Sequence, residues 1–221
     1  MKELERYYKL MKERPYLFEN QDASIIIETN KEVLMDYMHH HSKKLGVVYE
    51  SPYHLMVVDL IKGKHGYYPY ERLIHNAIGR GVVCIVKKAD RFILLHQYRH
   101  ALRGFQYAFV RGFGEGQLSG IENAKKEVEE ELHAHVQRIT KLGEMISDSG
   151  LCGSYVDIYL CEIDTYQNTY EEGIKEVLEV SEEELQSMIQ QGLLNDGYSL
   201  SAFMYYQNQK GESYAYNEAK R

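Results

Sequence analysis

Three glutamates near the middle of the chain lie at a spacing that suits a metal ion. Residues 112–133 read GFGEGQLSGIENAKKEVEEELH, and Glu130 and Glu131 follow Glu127 by three and four positions. In a helix, side chains at this spacing share one side, where neighbouring carboxylates repel each other. A cation bound by oxygen ligands relieves that repulsion, and Mg²⁺ commonly uses a few carboxylates together with water and substrate phosphate. The pattern therefore predicts a magnesium site on a helix.

The same segment also carries residues that would anchor such a helix. Ile121, Ala124, Val128 and Leu132 recur at intervals of three and four positions, which predicts a buried face. The alternative is an ordinary solvent-exposed helix rich in Glu and Lys, the usual interpretation of this composition. The order of glycine-bearing loop, buried face and clustered acids favours the metal site.

Composition limits the class of protein. The chain has 221 residues, 44% of them hydrophobic and 27% charged, as in soluble globular proteins. The net charge of −7 argues against a nucleic-acid partner, because such binding requires Lys and Arg to neutralise phosphates. The N-terminus lacks the apolar core of a signal peptide, and no segment has the roughly 20 apolar residues that span a bilayer. We therefore expect a soluble cytoplasmic protein with no membrane partner.

The cysteines and a histidine run do not suggest a second metal site. Cys84 and Cys161 lie in strand-like sequences and are predicted to be buried, while Cys152 lies in a loop. Their spacing forms no metal-type pairs, and free thiols are typical of a reducing compartment. The consecutive residues 39–41 are all His, but adjacent helical side chains point about 100° apart and do not converge on one ion.

The elements that would position the glutamates divide into three predicted segments. Residues 1–78 contain a helix over 3–13, a strand at 24–28, a helix from the cap Asn30 to about 44, and several strands. Residues 79–208 contain a hairpin turning at 89–90, the strand leading to the glycine loop, the Glu helix and later strands. Ser181 begins a capping box before the penultimate helix, and a last helix spans about 199–208. A polar tail follows at 209–221.

The glycine loop and Glu helix together resemble the Nudix box, G-x5-E-x7-R-E-U-x-E-E-x-G-U, where U is aliphatic. Aligned without gaps, Gly112 takes the first glycine, and Lys126-Glu127-Val128-Glu129-Glu130-Glu131 takes R-E-U-x-E-E. Leu118 stands where the box has its first Glu, Lys126 replaces the Arg, and His133 replaces the closing Gly. Glu115, three residues before Leu118, is a candidate substitute for the missing acid.

The resemblance extends over about 79–208 and is nearest to the ADP-ribose pyrophosphatase branch of the Nudix family. LLHQYRH, residues 94–100, is similar to its Q-Y-R strand, and residues 174–203 are similar to its closing strand, helix, G-x-hydrophobic-x-D turn and helix. The resemblance implies an α/β fold, an α/β/α Nudix sandwich with a mixed sheet, here preceded by an N-terminal α+β extension. It also implies a homodimer, with the N-terminal strands helping to pair the subunits.

The resemblance also implies a reaction and a set of site residues. The reaction is hydrolysis of the pyrophosphate of a nucleoside diphosphate linked to another group, with Mg²⁺, or alternatively Mn²⁺, as cofactor. Glu127, Glu131 and the carbonyl of Arg111 would bind the metal, with Glu130 as a further or indirect ligand. Arg99 and Arg111 would contact the substrate. Glu171 and Glu172 are candidate general bases; the alternative is that both are solvated loop acids.

Three departures from the branch leave a second function open. Ala108 takes the place of a Glu in E-L-P-A-G, Ser154 takes the place of the Glu in S-P-G-x-x-x-E, and Leu118 is the third. We expect a hydrolase of ADP-ribose or a nucleotide sugar. The alternatives are a non-catalytic Nudix domain that binds a nucleotide as a sensor or interaction module, and a hydrolase of another Nudix substrate such as a dinucleoside polyphosphate.

Overall fold

The computed structural model describes residues 2–22, 24–76, 79–167 and 172–218. The chain folds into two compact units. The first comprises Met1–Ala77 together with Asp148–Ser154, and the second comprises Ile78–Ser147 together with Tyr155–Arg221. The division lies one residue from the predicted boundary at 78/79, but the short segment 148–154 joins the first unit.

The first unit is a small α+β structure. Its elements are α1 (Lys2–Glu13), β1 (Ile26–Glu28), α2 (Lys31–His41), β2 (Gly46–Glu50), β3 (His54–Gly63) and β4 (Gly66–His75). The central strand β3 pairs antiparallel with β1 and β2 and also with β4. Asn30 caps α2 as predicted, but the helix ends at His41, with Ser42 in the left-handed conformation, rather than continuing to about 44.

The second unit is built on a mixed seven-stranded sheet. Its elements are β5 (Gly81–Lys88), β6 (Arg91–Arg99), β7 (Gly104–Ala108), β8 (Val110–Gly112), α3 (Gly120–Leu132), β9 (Val136–Asp148), β10 (Cys152–Ile163), β11 (Ile174–Val180), α4 (Glu182–Gln190) and α5 (Gly197–Glu218). The main strand order is β11-β6-β5-β10-β9, with β7 paired to β6 and β8 paired to β5. The β5–β10 pair is parallel, and the pairs that β5 and β6 make with one another and with β7, β8 and β11 are antiparallel.

Helices cover both faces of this sheet. Successive residues of a strand point to opposite faces, so one strand supplies apolar side chains to both helical layers. On one face, Ile93 and Leu95 of β6 share a buried cluster with Ala124 and Val128 of α3. On the other face, Phe92 and Leu94 share a cluster with Leu185 of α4 and with Ala202 and Phe203 of α5. The architecture is therefore α/β/α, as predicted.

Two details of the helices differ from the sequence-based expectation. Ile121 was predicted to share the buried face of α3, but its side chain is 46% exposed because it lies in the first turn of the helix. Ala124, Val128 and Leu132 are fully buried as predicted. The last helix, α5, begins at Gly197 and continues to Glu218, beyond its expected end at about 208.

Cys84 and Cys161 are buried as predicted. Cys152, which was expected in a loop, is the first residue of β10 and is also buried. The residues of the histidine run at 39–41 are exposed at the end of α2, where His40 pairs with Asp36 and His41 stacks on Tyr37. Within the described ranges, no helix is long and apolar enough to cross a membrane.

Candidate functional site

The Glu helix is fixed at both ends by local backbone chemistry. Ser119 caps its first turn: the Ser119 hydroxyl accepts a hydrogen bond from the Glu122 backbone N–H, and Glu122 Oε2 accepts one from the Ser119 N–H at 2.8 Å. The helix ends where His133 adopts the left-handed conformation with a φ of 47°. Glycine adopts that left-handed conformation more easily than histidine does.

Gly112 provides the space in which the Glu127 carboxylate lies. A Cβ atom placed on Gly112 would overlap the carboxyl group of Glu127. Gly112 ends β8 and pairs with Val82 of β5, so the carboxylate of the α3 residue rests against the sheet backbone. Glycine is therefore required at position 112 for a steric reason, because a side chain there would displace the carboxylate of Glu127.

Glu131 is held more deeply, between α3 and the sheet. Its Oε1 accepts a hydrogen bond from Gln97 Nε2 at 3.2 Å. Its Oε2 is buried and has no hydrogen-bond partner among the described residues. The carboxylate is thus anchored by one oxygen and carries a second oxygen available for a ligand.

Burial raises the pKa of both carboxylates. The pKa of Glu131 is raised to about 7, mainly by burial and further by Glu127, against the opposing effects of Gln97, Arg99 and the Arg111 backbone. The pKa of Glu127 is also raised, first by burial, then by the charge of Glu130 and more weakly by Glu115. The ionised forms of both groups are unfavourable because they are buried and close to each other. A positive charge bound beside them would stabilise those ionised forms.

Glu130 has a different environment from its two neighbours. It is exposed and forms an ion pair with Lys126 at 3.3 Å. Lys126 also pairs with Glu115, the candidate substitute for the acid missing at position 118. Lys126 therefore joins Glu115 to Glu130, and the charges of both acids act on Glu127.

Arg99 supplies buried positive charge at the end of β6. Its Nε and Nη2 atoms are buried and find no hydrogen-bond acceptor in the part of the chain that the structure describes. Burial and the charge of Arg111 lower the pKa of Arg99, while Glu131 and Asp196 act in the opposite direction. Buried donors on a cation are unfavourable without an acceptor, so this guanidinium is suited to an anion.

Arg111 is oriented by the start of α5. Its Nη1 lies 3.2 Å from Asp196 Oδ1, and its guanidinium carbon lies 4.8 Å from the centre of the Tyr198 ring. Asp196 is itself buried and accepts hydrogen bonds from the Ser199 N–H and hydroxyl. Ser199 Oγ in turn accepts from the Phe109 backbone N–H at 2.9 Å. This network ties the strand segment at 109–111 to α5.

The two candidate general bases are only partly located. Glu172 is exposed in the turn before β11, and Glu171 lies outside the described residues. The neighbouring Gly173 carbonyl accepts a hydrogen bond from the Tyr98 N–H at 2.8 Å. The turn therefore adjoins the strand that carries Gln97 and Arg99, and the role of both acids stays a prediction.

The residues present fit a hard divalent cation. Within the described residues, no three His, Cys, Asp or Glu side chains are already grouped as a metal site. However, the Glu131 Oε2 atom is a buried acceptor with no partner among the described residues, and the Glu127 carboxylate occupies the space left by Gly112. Carboxylate oxygens of this kind are ligands that Mg²⁺ takes together with water. The Arg111 carbonyl stays a predicted third ligand.

Gln97, Asp196, Tyr198 and Ser199 belong to this arrangement, although the sequence analysis assigned them no role. Gln97 lies two residues before Arg99 on a strand, and residues at that spacing share a face, which is a usable signal. Asp196 is the final residue of the G-x-hydrophobic-x-D turn quoted above. The contact of Tyr198 with Arg111 and that of Ser199 with Phe109 leave no such signal, because each joins residues more than 80 positions apart.

Comparison with solved structures identifies a protein of similar fold. A crystal structure described as that of an ADP compounds hydrolase superposes with a TM-score of 0.64 and 17% sequence identity. The superposition covers 77% of this chain and 98% of the other. No protein-family model and no curated protein sequence matches the chain. At this identity the likeness shows the fold alone, and it confirms the predicted mixed α/β class.

Proposed function

We propose that the protein is a Mg²⁺-dependent hydrolase of a nucleoside diphosphate linked to another group, with ADP-ribose or a nucleotide sugar as substrate. One observation carries this proposal: among the described residues, the buried Glu131 Oε2 atom has no hydrogen-bond partner, and neither do the buried Nε and Nη2 donors of Arg99. The Glu131 oxygen suits a cation, and the Arg99 donors suit a phosphate. The description of the similar structure, a hydrolase of ADP compounds, agrees with this substrate class.

The side chains have distinct roles in the proposed reaction. Glu127, Glu131 and the Arg111 carbonyl would hold the cation, which when bound neutralises phosphate charge and acidifies water. Arg99 donates to the diphosphate, and its buried position excludes competing water from those donors. The Arg111 guanidinium, oriented by Asp196, adds positive charge to the same region.

The chemical step transfers one phosphoryl group to water. The water oxygen forms a bond to one phosphorus, and the bridging P–O bond to the other phosphorus breaks. The products are a nucleoside monophosphate and a phosphorylated partner. Glu171 or Glu172 would accept the proton of the water, provided that the turn before β11 brings one of them within reach.

The second candidate function is a nucleotide-binding domain without turnover. The observation that favours it is Ala108, which is fully buried and pairs with Leu95 where the hydrolase branch carries a Glu. Under this alternative, Arg99 and Arg111 would still bind a diphosphate. The two functions therefore differ in product formation and not in binding.

The test is product release from a panel of nucleoside diphosphate compounds, with ADP-ribose first, in Mg²⁺ and then in EDTA. We expect turnover that EDTA abolishes and that Glu127→Gln or Glu131→Gln reduces by at least 100-fold, because each removes a charged cation ligand. Nucleotide binding without any product across the panel would reject the hydrolase and support the binding domain.

A further inference from the structure

Gln97 joins the sheet to the candidate cation site through a single hydrogen bond. Its Nε2 donates to Glu131 Oε1 at 3.2 Å. A carboxylate can only accept, so the amide must present its NH₂ group to Glu131 and direct its oxygen elsewhere. That oxygen, Gln97 Oε1, is buried and has no hydrogen-bond partner in the described parts of the chain.

The backbone of β6 holds Gln97 in place from both sides. Gln97 is in register with Ile174 of β11 on one side and with Gln106 of β7 on the other. Side chains alternate along a strand, so Gln97 shares its face with Ile93 and Leu95, which pack beneath α3. Because the strand is paired on both edges, the backbone from which the Gln97 amide reaches Glu131 is held in place.

Around this bond, two buried oxygen acceptors find no partner within the ranges that the structure describes, Gln97 Oε1 and Glu131 Oε2. Buried acceptors are normally satisfied, and exceptions point to a water, an ion or a ligand that belongs there. A carboxylate oxygen suits direct coordination of a divalent cation. An amide oxygen suits a cation-bound water, whose hydrogens point outward and require acceptors.

We propose that Gln97 is a positioning residue of the cation site. Its NH₂ group fixes the Glu131 carboxylate so that Oε2 faces the cation, and its Oε1 accepts a hydrogen bond from a water carried by that cation. The inference rests on the proposed function, since it requires a cation at Glu127 and Glu131. Groups that orient metal ligands in this way typically contribute about 10- to 100-fold in metal affinity.

The test measures Mn²⁺ affinity without nucleotide, by titration calorimetry or by the electron paramagnetic resonance of free Mn²⁺. Gln97→Leu keeps a side chain of similar size but removes both the NH₂ donor and the oxygen acceptor of the amide. Gln106→Leu is the matched control, because Gln106 is the register partner of Gln97 on β7 but bonds to Asn195 rather than to a glutamate. Thermal unfolding establishes that each variant is folded. Should Gln97→Leu not fold, Gln97→Asn replaces it, since it keeps the amide but is one methylene too short to reach Glu131.

We expect the Gln97 variant to bind Mn²⁺ about tenfold or more weakly, and Gln106→Leu to bind within twofold of the unsubstituted protein. Because the role is positioning, hydrolysis by the Gln97 variant should recover at saturating Mg²⁺, whereas Glu131→Gln should not recover. Wild-type Mn²⁺ affinity in the Gln97 variant, or an equal loss in Gln106→Leu, would overturn the inference and leave the proposed function standing. Absence of Mn²⁺ binding by the unsubstituted protein would overturn both.

Discussion

At the scale of single residues, the absent side chain of Gly112 determines where Glu127 can lie. The Glu127 carboxylate occupies the volume that a Cβ at position 112 would need. Gly112→Ala should therefore displace this carboxylate and weaken Mn²⁺ binding by about tenfold or more, measured by calorimetric titration. Gly153→Ala is the control, because a Cβ there meets no atom within 4 Å. Equal affinity in both variants would mean that Glu127 does not bind the cation.

The buried Glu131 carboxyl makes a second prediction, on the pH dependence of stability. Burial raises its pKa to about 7 in the folded protein from the ordinary value of 4.5. The folded state therefore binds this proton more tightly, and the free energy of unfolding falls as pH rises from about 4.5 to about 7. Above about pH 7 the contribution of this proton to the free energy of unfolding, on the order of 3 kcal/mol, is fully lost.

Glu131→Gln removes this titration, so in EDTA at pH 8 the variant should be more stable than the unsubstituted protein by roughly 1–3 kcal/mol. Urea unfolding at pH 5 and pH 8 measures the effect, and added Mg²⁺ should stabilise only the unsubstituted protein. A variant that is less stable at pH 8 would show that Glu131 is held ionised by its neighbours.

At the scale of elements, the start of α5 fixes the strand segment that carries Arg111. Ser199 Oγ is the acceptor for the buried Phe109 N–H, and Asp196 binds both Ser199 and Arg111. Ser199→Ala should lower the free energy of unfolding by about 1–3 kcal/mol, because it leaves that N–H without a partner. Urea unfolding checks this. Ser201→Ala, partly buried on the same helix, is the control and should change stability by less than about 0.5 kcal/mol. Equal effects would refute the role of Ser199.

Local patterns predicted the elements well, and tertiary contacts account for what they missed. Asn30 and Ser181 were identified as helix caps because capping depends on neighbouring residues, and both cap as expected. Ile121 was assigned to the buried face from periodicity alone, which takes no account of its place in the first turn of α3. The bond from Gln97 to Glu131 joins residues 34 positions apart, and periodicity contains no information about such a pair.

At the scale of the whole molecule, the homodimer remains a prediction that concerns the first unit. Strand β4 pairs with β3 and exposes Tyr67, Tyr68 and Tyr70, each about 40% accessible. Among the described strands β4 pairs with β3 alone, and a border strand that exposes aromatic side chains favours association with another chain. Tyr68→Lys should convert the dimer to a monomer in sedimentation experiments, since lysine on a border strand opposes pairing. Tyr16→Lys, which is outside the sheet, should leave the dimer intact. A monomeric unsubstituted protein would contradict the prediction.

The central claim is that Glu127 and Glu131 hold a divalent cation that supports diphosphate hydrolysis. The most direct measurement is the rate of AMP release from ADP-ribose as Mg²⁺ is titrated, comparing the unsubstituted protein with Glu131→Gln. We expect release that saturates with Mg²⁺, stops on addition of EDTA, and falls by about 100-fold or more in the variant while its fold is retained. Release that is independent of Mg²⁺, or equal in the two proteins, would contradict it.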